Sequence, residues 1–167
     1  MKDDIKQEIR GLRANSGVAY VGSIDDEGYP QIKAMLVLEH DSLRTQYFST
    51  NLSSRRARQF LKRPEASVYY CNEAELKGAL FTGHMQVCTD HASKALLWRE
   101  GFEIYYPSGV DDADYCVFKF TADTVNYYHG LSNVTAGIYH RDRSLICILI
   151  HYYIPSFVSF NRYTISF

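Results

Sequence analysis

Between residues 18 and 128 the chain reads as a series of short apolar and aromatic runs separated by turn residues, and that series limits the fold more than any other feature. Runs fall at 18–24, 31–38, 44–49, 66–71, 77–87 and 115–121, with a further one at 124–128. Six or more antiparallel strands joined by short turns, with few helices, predict a mainly β protein built as a small barrel or sandwich. Fourteen tyrosines and nine phenylalanines point the same way, since aromatic side chains suit a pleated, half-buried surface. Asp25-Asp26-Glu27-Gly28 reads as a hairpin turn in which Gly28 supplies a positive φ. On the return strand Ile32, Ala34, Leu36 and Leu38 share one face, and Gln31, Lys33, Met35 and Val37 the other. Lys33 is then a mid-strand charge that either snorkels to solvent or faces a ligand. Gly78 and Gly83 interrupt the long fifth strand, as at a bulge, a barrel corner or a close ligand approach.

Helical signals are few. Ile5, Ile9 and Leu12 give residues 3–15 one apolar stripe, and Thr89 or Asp90 caps a second helix that carries Ala92, Ala95, Leu96 and Trp98 and ends at Gly101. The loop 105–112 is aromatic and then acidic, a lid or a packed crossover. Between these helices lies Ser53-Ser54-Arg55-Arg56-Ala57-Arg58-Gln59-Phe60-Leu61-Lys62-Arg63-Pro64. Ser53 or Ser54 caps a short helix, Ala57, Phe60 and Leu61 form its apolar face, and Pro64 ends it near Arg63. Arg55 and Arg56 occupy the first turn, where the helix dipole is already positive and acids are normally preferred. A bound anion would resolve that conflict, because free backbone N–H groups, hydroxyls and guanidinium groups would converge on it. A solvated basic helix face is the plainer reading, and nucleic-acid binding is a third.

Charge sharpens the contrast. The formal net charge is −1, and the segment from Tyr139 carries three arginines and one aspartate, so the rest of the chain stands at −1 less +2, or −3. On that acidic body Arg55, Arg56, Arg58, Lys62 and Arg63 form an isolated basic cluster. Cys71, Cys88, Cys116 and Cys147 lack C-x-x-C spacing and read as reduced, mostly buried thiols. The acidic opening residues lack the apolar core of a signal peptide, so a cytoplasmic protein is expected. The six histidines form no metal-ligand pattern, and no Walker loop, dinucleotide fingerprint or nucleophile elbow is present. Residues 1–137 make one domain. Residues 138–167 are an apolar tail with a bare run at 145–150, too short to span a bilayer as a helix, that would add an edge strand, swap into a partner or lie unordered.

The segments VGSIDDEGYPQIKAM (21–35), YFSTNLSSRRARQFLKRPEASVYY (47–70), the strand around Gly83, and LLWREGFEIYYPSGVDDADYCVFKF (96–120) together resemble the pyridoxamine 5′-phosphate oxidase-like family, particularly its bacterial general-stress-protein branch. The resemblance implies a six-stranded antiparallel split β-barrel of the FMN-binding type, with helices packed at its ends. It implies a homodimer with FMN at the subunit interface. Lys33 then stands at the family's arginine position in the second strand, and Ser49 and Thr50 lie beside the flavin. Ser54, Arg55 and Arg56 take the phosphate, and Lys77 and Gly78 lie near the flavin from the other subunit.

Two departures bear on activity. Leu38 stands where true pyridoxamine phosphate oxidases carry a second phosphate-binding lysine, and their C-terminal Arg-x-His segment has no counterpart, since Tyr139-His140-Arg141-Asp142-Arg143 has a different order. Both argue against turnover of pyridoxamine phosphate. The expected function is that of an FMN-binding oxidoreductase with an unassigned small-molecule substrate, in which FMN carries the redox chemistry and no protein acid or base is named. The alternative is a flavin- or ligand-binding stress protein without turnover.

Overall fold

A computed structural model describes residues 1–38 and 42–138. The elements run α1 (Asp3–Ala14), β1 (Val18–Ile24), β2 (Pro30–Leu36), β3 (Thr45–Asn51), α2 (Arg55–Lys62), β4 (Glu65–Asn72), β5 (Lys77–Cys88), α3 (His91–Leu97), two 3₁₀ turns (Phe102–Ile104 and Gly109–Asp111), β6 (Tyr115–His129) and β7 (Ser132–Gly137). The turn around residue 40 and the tail from residue 139 lie outside the described residues.

All pairings are antiparallel, in the order β2-β1-β4-β5-β6-β3. At the two ends of that order, β2 and β3 approach each other without pairing, which leaves the barrel split. The fold class is the expected one, with a correction in the strand count. The runs at 115–121 and 124–128 are one continuous strand, β6, and the seventh strand is β7, entered through a turn at Gly130. The first half of β6 pairs with β3 and the second with β7. β5 and β6 shift register between Thr82 and Gly83, so of the alternatives open for the two interrupting glycines a break in the ladder is what Gly83 marks.

Alternation decides the core. Ala19 and Val21 of β1, Phe48 of β3, Val68 and Tyr70 of β4, Ala79, Phe81 and Met85 of β5, and Phe118 and Phe120 of β6 all point inward. On β2 the inward residue is Met35, while Ile32 and Leu36 stay 74% and 64% exposed. Lys33 therefore shares the inward-directed face with Met35 but lies solvent-exposed. The helices cover the barrel through Ile9 and Leu12 of α1 and through Ala57 and Phe60 of α2, whose ring meets Phe118 edge-on at 5.2 Å. Leu61 departs from expectation: it is exposed, and the polar Gln59 is buried in its place, its Oε1 accepting from Ser23 Oγ at 2.8 Å.

A second cluster fixes the crossover before β6. Asp90 caps α3, whose end at Leu97 leaves Trp98 at the C-cap, earlier than the Gly101 boundary expected from sequence. The Trp98 ring packs against Phe102, Tyr106 and Tyr115. Tyr106 is buried whereas Tyr105 is exposed, so of the two tyrosines in the loop it is Tyr106 that packs into the cluster. No helix among the described residues is long and apolar enough to cross a membrane.

Candidate functional site

The β3–α2 turn is built from two serines with different tasks. Ser54, in extended conformation, caps α2 by accepting from Ala57 N at 3.1 Å, which leaves its hydroxyl proton free to donate elsewhere. Ser53 is consumed by the protein, since its backbone N–H and its hydroxyl both donate to Asp114, at 2.6 and 2.9 Å. The first N–H groups of any α-helix have no intrahelical acceptor, and here Ser54 Oγ serves that of Ala57 and not those of Arg55 and Arg56. No acid sits in this first turn.

The basic cluster divides in the same way. Arg58 donates to Ser53 O at 2.8 Å, Lys62 pairs with Asp26 at 2.7 Å, and Arg63 donates to Asp25 O at 2.6 Å. These three stitch α2 to its surroundings. Arg55, 64% exposed along its side chain, makes only a long contact of 3.4 Å with Asp25 Oδ2. Arg56 is half-buried, and its Nε is enclosed without a hydrogen-bond partner. Desolvation pushes its guanidinium pKa down, which is the signature of a cation held against its preference for water.

Asp25 ties the neighbouring elements to this turn. It is almost fully buried, accepts from Tyr29 N at 2.7 Å and Gln31 Nε2 at 2.8 Å, and faces Arg55. Gln31 and Lys33 share one face of β2, so the strand that carries Lys33 is linked through Gln31 and Asp25 to Arg55. Ser49 and Thr50 fall within β3 and are half-exposed on the approach to the turn. The expected strand ended at Ser49, whereas β3 runs on to Asn51.

Lys77 and Gly78 are not brought to this site. Thr50 pairs with Cys116 at the start of β6, whereas Gly78 pairs with Tyr128 at its end. Lys77 there contacts Glu75 at 2.6 Å and Glu8 at 3.2 Å, and the carboxylates raise its pKa. Gly78 lies beneath the hydroxyl pair Tyr69–Tyr128, whose oxygens are 2.6 Å apart. A cleft of about 740 Å³ opens at this far end, lined by Glu8, Leu12, Tyr20, Cys71, Glu75 and Lys77 among others. It lies away from the basic turn.

Asp25, Asn51 and Asp114 escaped the reading of the sequence as site residues. Asp25 reads there as a turn residue, and no local pattern singles out Asp114, which meets Ser53 across 61 positions.

These elements define a split antiparallel β-barrel protein whose strand-to-helix turn carries a serine-capped helix start and two arginines. The chain matches the pyridoxamine 5′-phosphate oxidase family over residues 5–129, and it belongs to that family. A solved protein from Clostridium acetobutylicum, described as related to general stress protein 26 of Bacillus subtilis, is 38% identical, with 83% of this chain and 97% of that one covered and a TM-score of 0.75. General stress protein 26 from Bacillus anthracis shares the fold at 16% identity, covering 74% and 92% of the two chains with a TM-score of 0.63. A pyridoxamine 5′-phosphate oxidase-related, FMN binding protein from Nostoc punctiforme does so at 12% identity, covering 88% and 96% with a TM-score of 0.60. No match to the chain is found among the curated proteins.

Proposed function

We propose that this chain is an FMN-binding flavoprotein of the family, acting as an oxidoreductase on a small-molecule substrate in the cytoplasm. One observation carries the reading: the enclosed, unpartnered Nε of Arg56 in a first helical turn that has no acid of its own. A buried donor without an acceptor costs about 1–3 kcal/mol, and a phosphate at the turn would supply one. The residues therefore fit the phosphate end of FMN. Ser54 Oγ, the N–H groups of Arg55 and Arg56 and both guanidinium groups would hold it, with Lys33 in support from β2. Ser49 and Thr50 would border the ring.

When bound, FMN supplies a two-electron redox centre. The chain's part is to anchor the phosphate, orient the ring and exclude water from one of its faces. Lys77 and Gly78 enter only through a second copy, because they lie at the opposite end of β6 from Thr50. The surface that would seat that copy is the outer face of the sheet, where Ile32 and Leu36 of β2, Val18 and Tyr20 of β1 and Leu80 of β5 are exposed.

The purified chain should show a saturable flavin spectrum on titration with FMN, and Arg55→Ala should weaken it. Wild type and variant alike without such a spectrum would refute the reading. Binding without turnover is the second reading, since the same turn would serve both. Bound FMN reduced by NADH or NADPH no faster than free FMN would select it.

A further inference from the structure

We propose that Asp114 is the positioning residue of the phosphate turn, setting how tightly the chain holds the phosphate of FMN without touching it; this rests on the FMN reading above. Asp114 precedes β6, yet it grips the three residues that lead into the cap. Its backbone oxygen accepts from Leu52 N at 2.6 Å. One carboxylate oxygen accepts from Ser53 N at 2.6 Å, and the other from Ser53 Oγ at 2.9 Å and Asn51 Nδ2 at 2.8 Å. These bonds hold its carboxyl pKa below the usual range.

An acid beside an anion site is unfavourable on Coulombic grounds, so its presence needs an account. The account is that both oxygens are spent on the turn. Taking up Ser53 completely leaves Ser54 as the one free hydroxyl at the cap and fixes the direction of the Arg55 and Arg56 N–H groups. Asp114 is itself held. Its N–H donates to Asp112 Oδ1 at 2.9 Å, and the Tyr106 hydroxyl donates to Asn51 Oδ1 at 3.3 Å from within the Trp98 cluster. The packed Trp98 cluster is thereby coupled to the geometry of the phosphate turn, an outer layer that orients the groups in direct contact.

The test compares FMN with riboflavin, which has the same ring and side chain without the phosphate. Affinities for both are measured by fluorescence titration on wild type, Asp114→Asn, Asn51→Asp and Ser53→Ala, with a thermal melt to confirm folding. Asp114→Asn turns an acceptor into a donor opposite Asn51 and Ser53, and Asn51→Asp sets two carboxylates against each other. Each should lower the FMN-to-riboflavin affinity ratio about tenfold or more, the factor that corresponds to ~1.4 kcal/mol. Riboflavin affinity should stay within about twofold of wild type, and Ser53→Ala should fall between. Asn51→Asp, on a half-exposed strand end, keeps the test available if Asp114→Asn does not fold. An unchanged ratio in a folded variant, or a parallel loss of both flavins, overturns the assignment. Wild type that binds neither flavin overturns the FMN reading itself.

Discussion

Replacing Gly83 by alanine tests the barrel at a point where β6 leaves β5 no room for a side chain. The added methyl would run into the backbone oxygen of Thr121 and would lie 2.9 Å from Ala122 Cα and 3.0 Å from Thr121 C. All of these are main-chain atoms of β6, at the register shift that bends the β5–β6 pair, so no rotamer change relieves the clash. Overpacking in a closed site costs about 1–3 kcal/mol, and a backbone obstacle belongs at or above the top of that range. For a chain of this length 1 kcal/mol moves the melting temperature by roughly 2–4 °C, so Gly83→Ala should melt about 6–12 °C below wild type. In urea, with a slope near 2 kcal/mol/M, the midpoint should fall by about 1.5 M. Gly17→Ala is the control, since nothing lies within 4 Å of its added methyl, and it should match or slightly exceed wild-type stability. Samples are compared at equal protein concentration, so that any oligomer contributes equally. Gly83→Ala melting together with Gly17→Ala would refute the close-approach argument.

Three further outcomes are expected. On the proposed two-copy arrangement, wild type should sediment as a dimer and Ile32→Glu with Leu36→Glu, on the outer face of β2, as a folded monomer; a persistent dimer would place the interface elsewhere, and a monomeric wild type would refute the second copy. Acid should destabilise the chain partly through Asp114: its folded carboxyl binds a proton less readily than the unfolded one, so its contribution is complete above about pH 3.9 and is lost as pH falls through the depressed folded value. Urea midpoints measured from pH 7 to 3 should therefore fall less steeply in Asp114→Asn than in wild type, and identical slopes would count against the argument. Burial pushes the Cys116 thiol up to about 12 and raises that of Cys88, so at pH 8 a thiol reagent should label half-exposed Cys71 in the native chain and Cys116 only on unfolding; peptide mapping reads which sulfur reacted.

Much of the architecture was legible in residue order. Short apolar and aromatic runs bounded by turn residues located β1 and β4 within a residue or so, and the serine–arginine run marked α2 and its cap, because these signals are local. Other assignments depend on what comes to lie opposite. Ile32, Ala34 and Leu36 make the more apolar face of β2, yet the barrel turns Met35 inward and leaves Ile32 and Leu36 outside. Leu61 and Gln59 exchange places for a similar reason: a partner for the glutamine, Ser23, comes from 36 residues away. The seventh strand has a short polar sequence and forms because the second half of β6 offers it a free edge.

The sequence by itself determined that this chain is a strand-rich domain with an arginine-bearing helix start suited to an anion, since capping, turn chemistry and alternation act between near neighbours. Only the tertiary structure decided which basic residues are free for that anion. Arg58, Lys62 and Arg63 are spent on Ser53, Asp26 and Asp25, while Arg56 is left enclosed with an unanswered donor. It likewise set Asp114 against the turn and Lys77 at the far end of β6. Those placements depend on strand order and on hydrogen bonds across tens of residues, which a linear pattern does not encode.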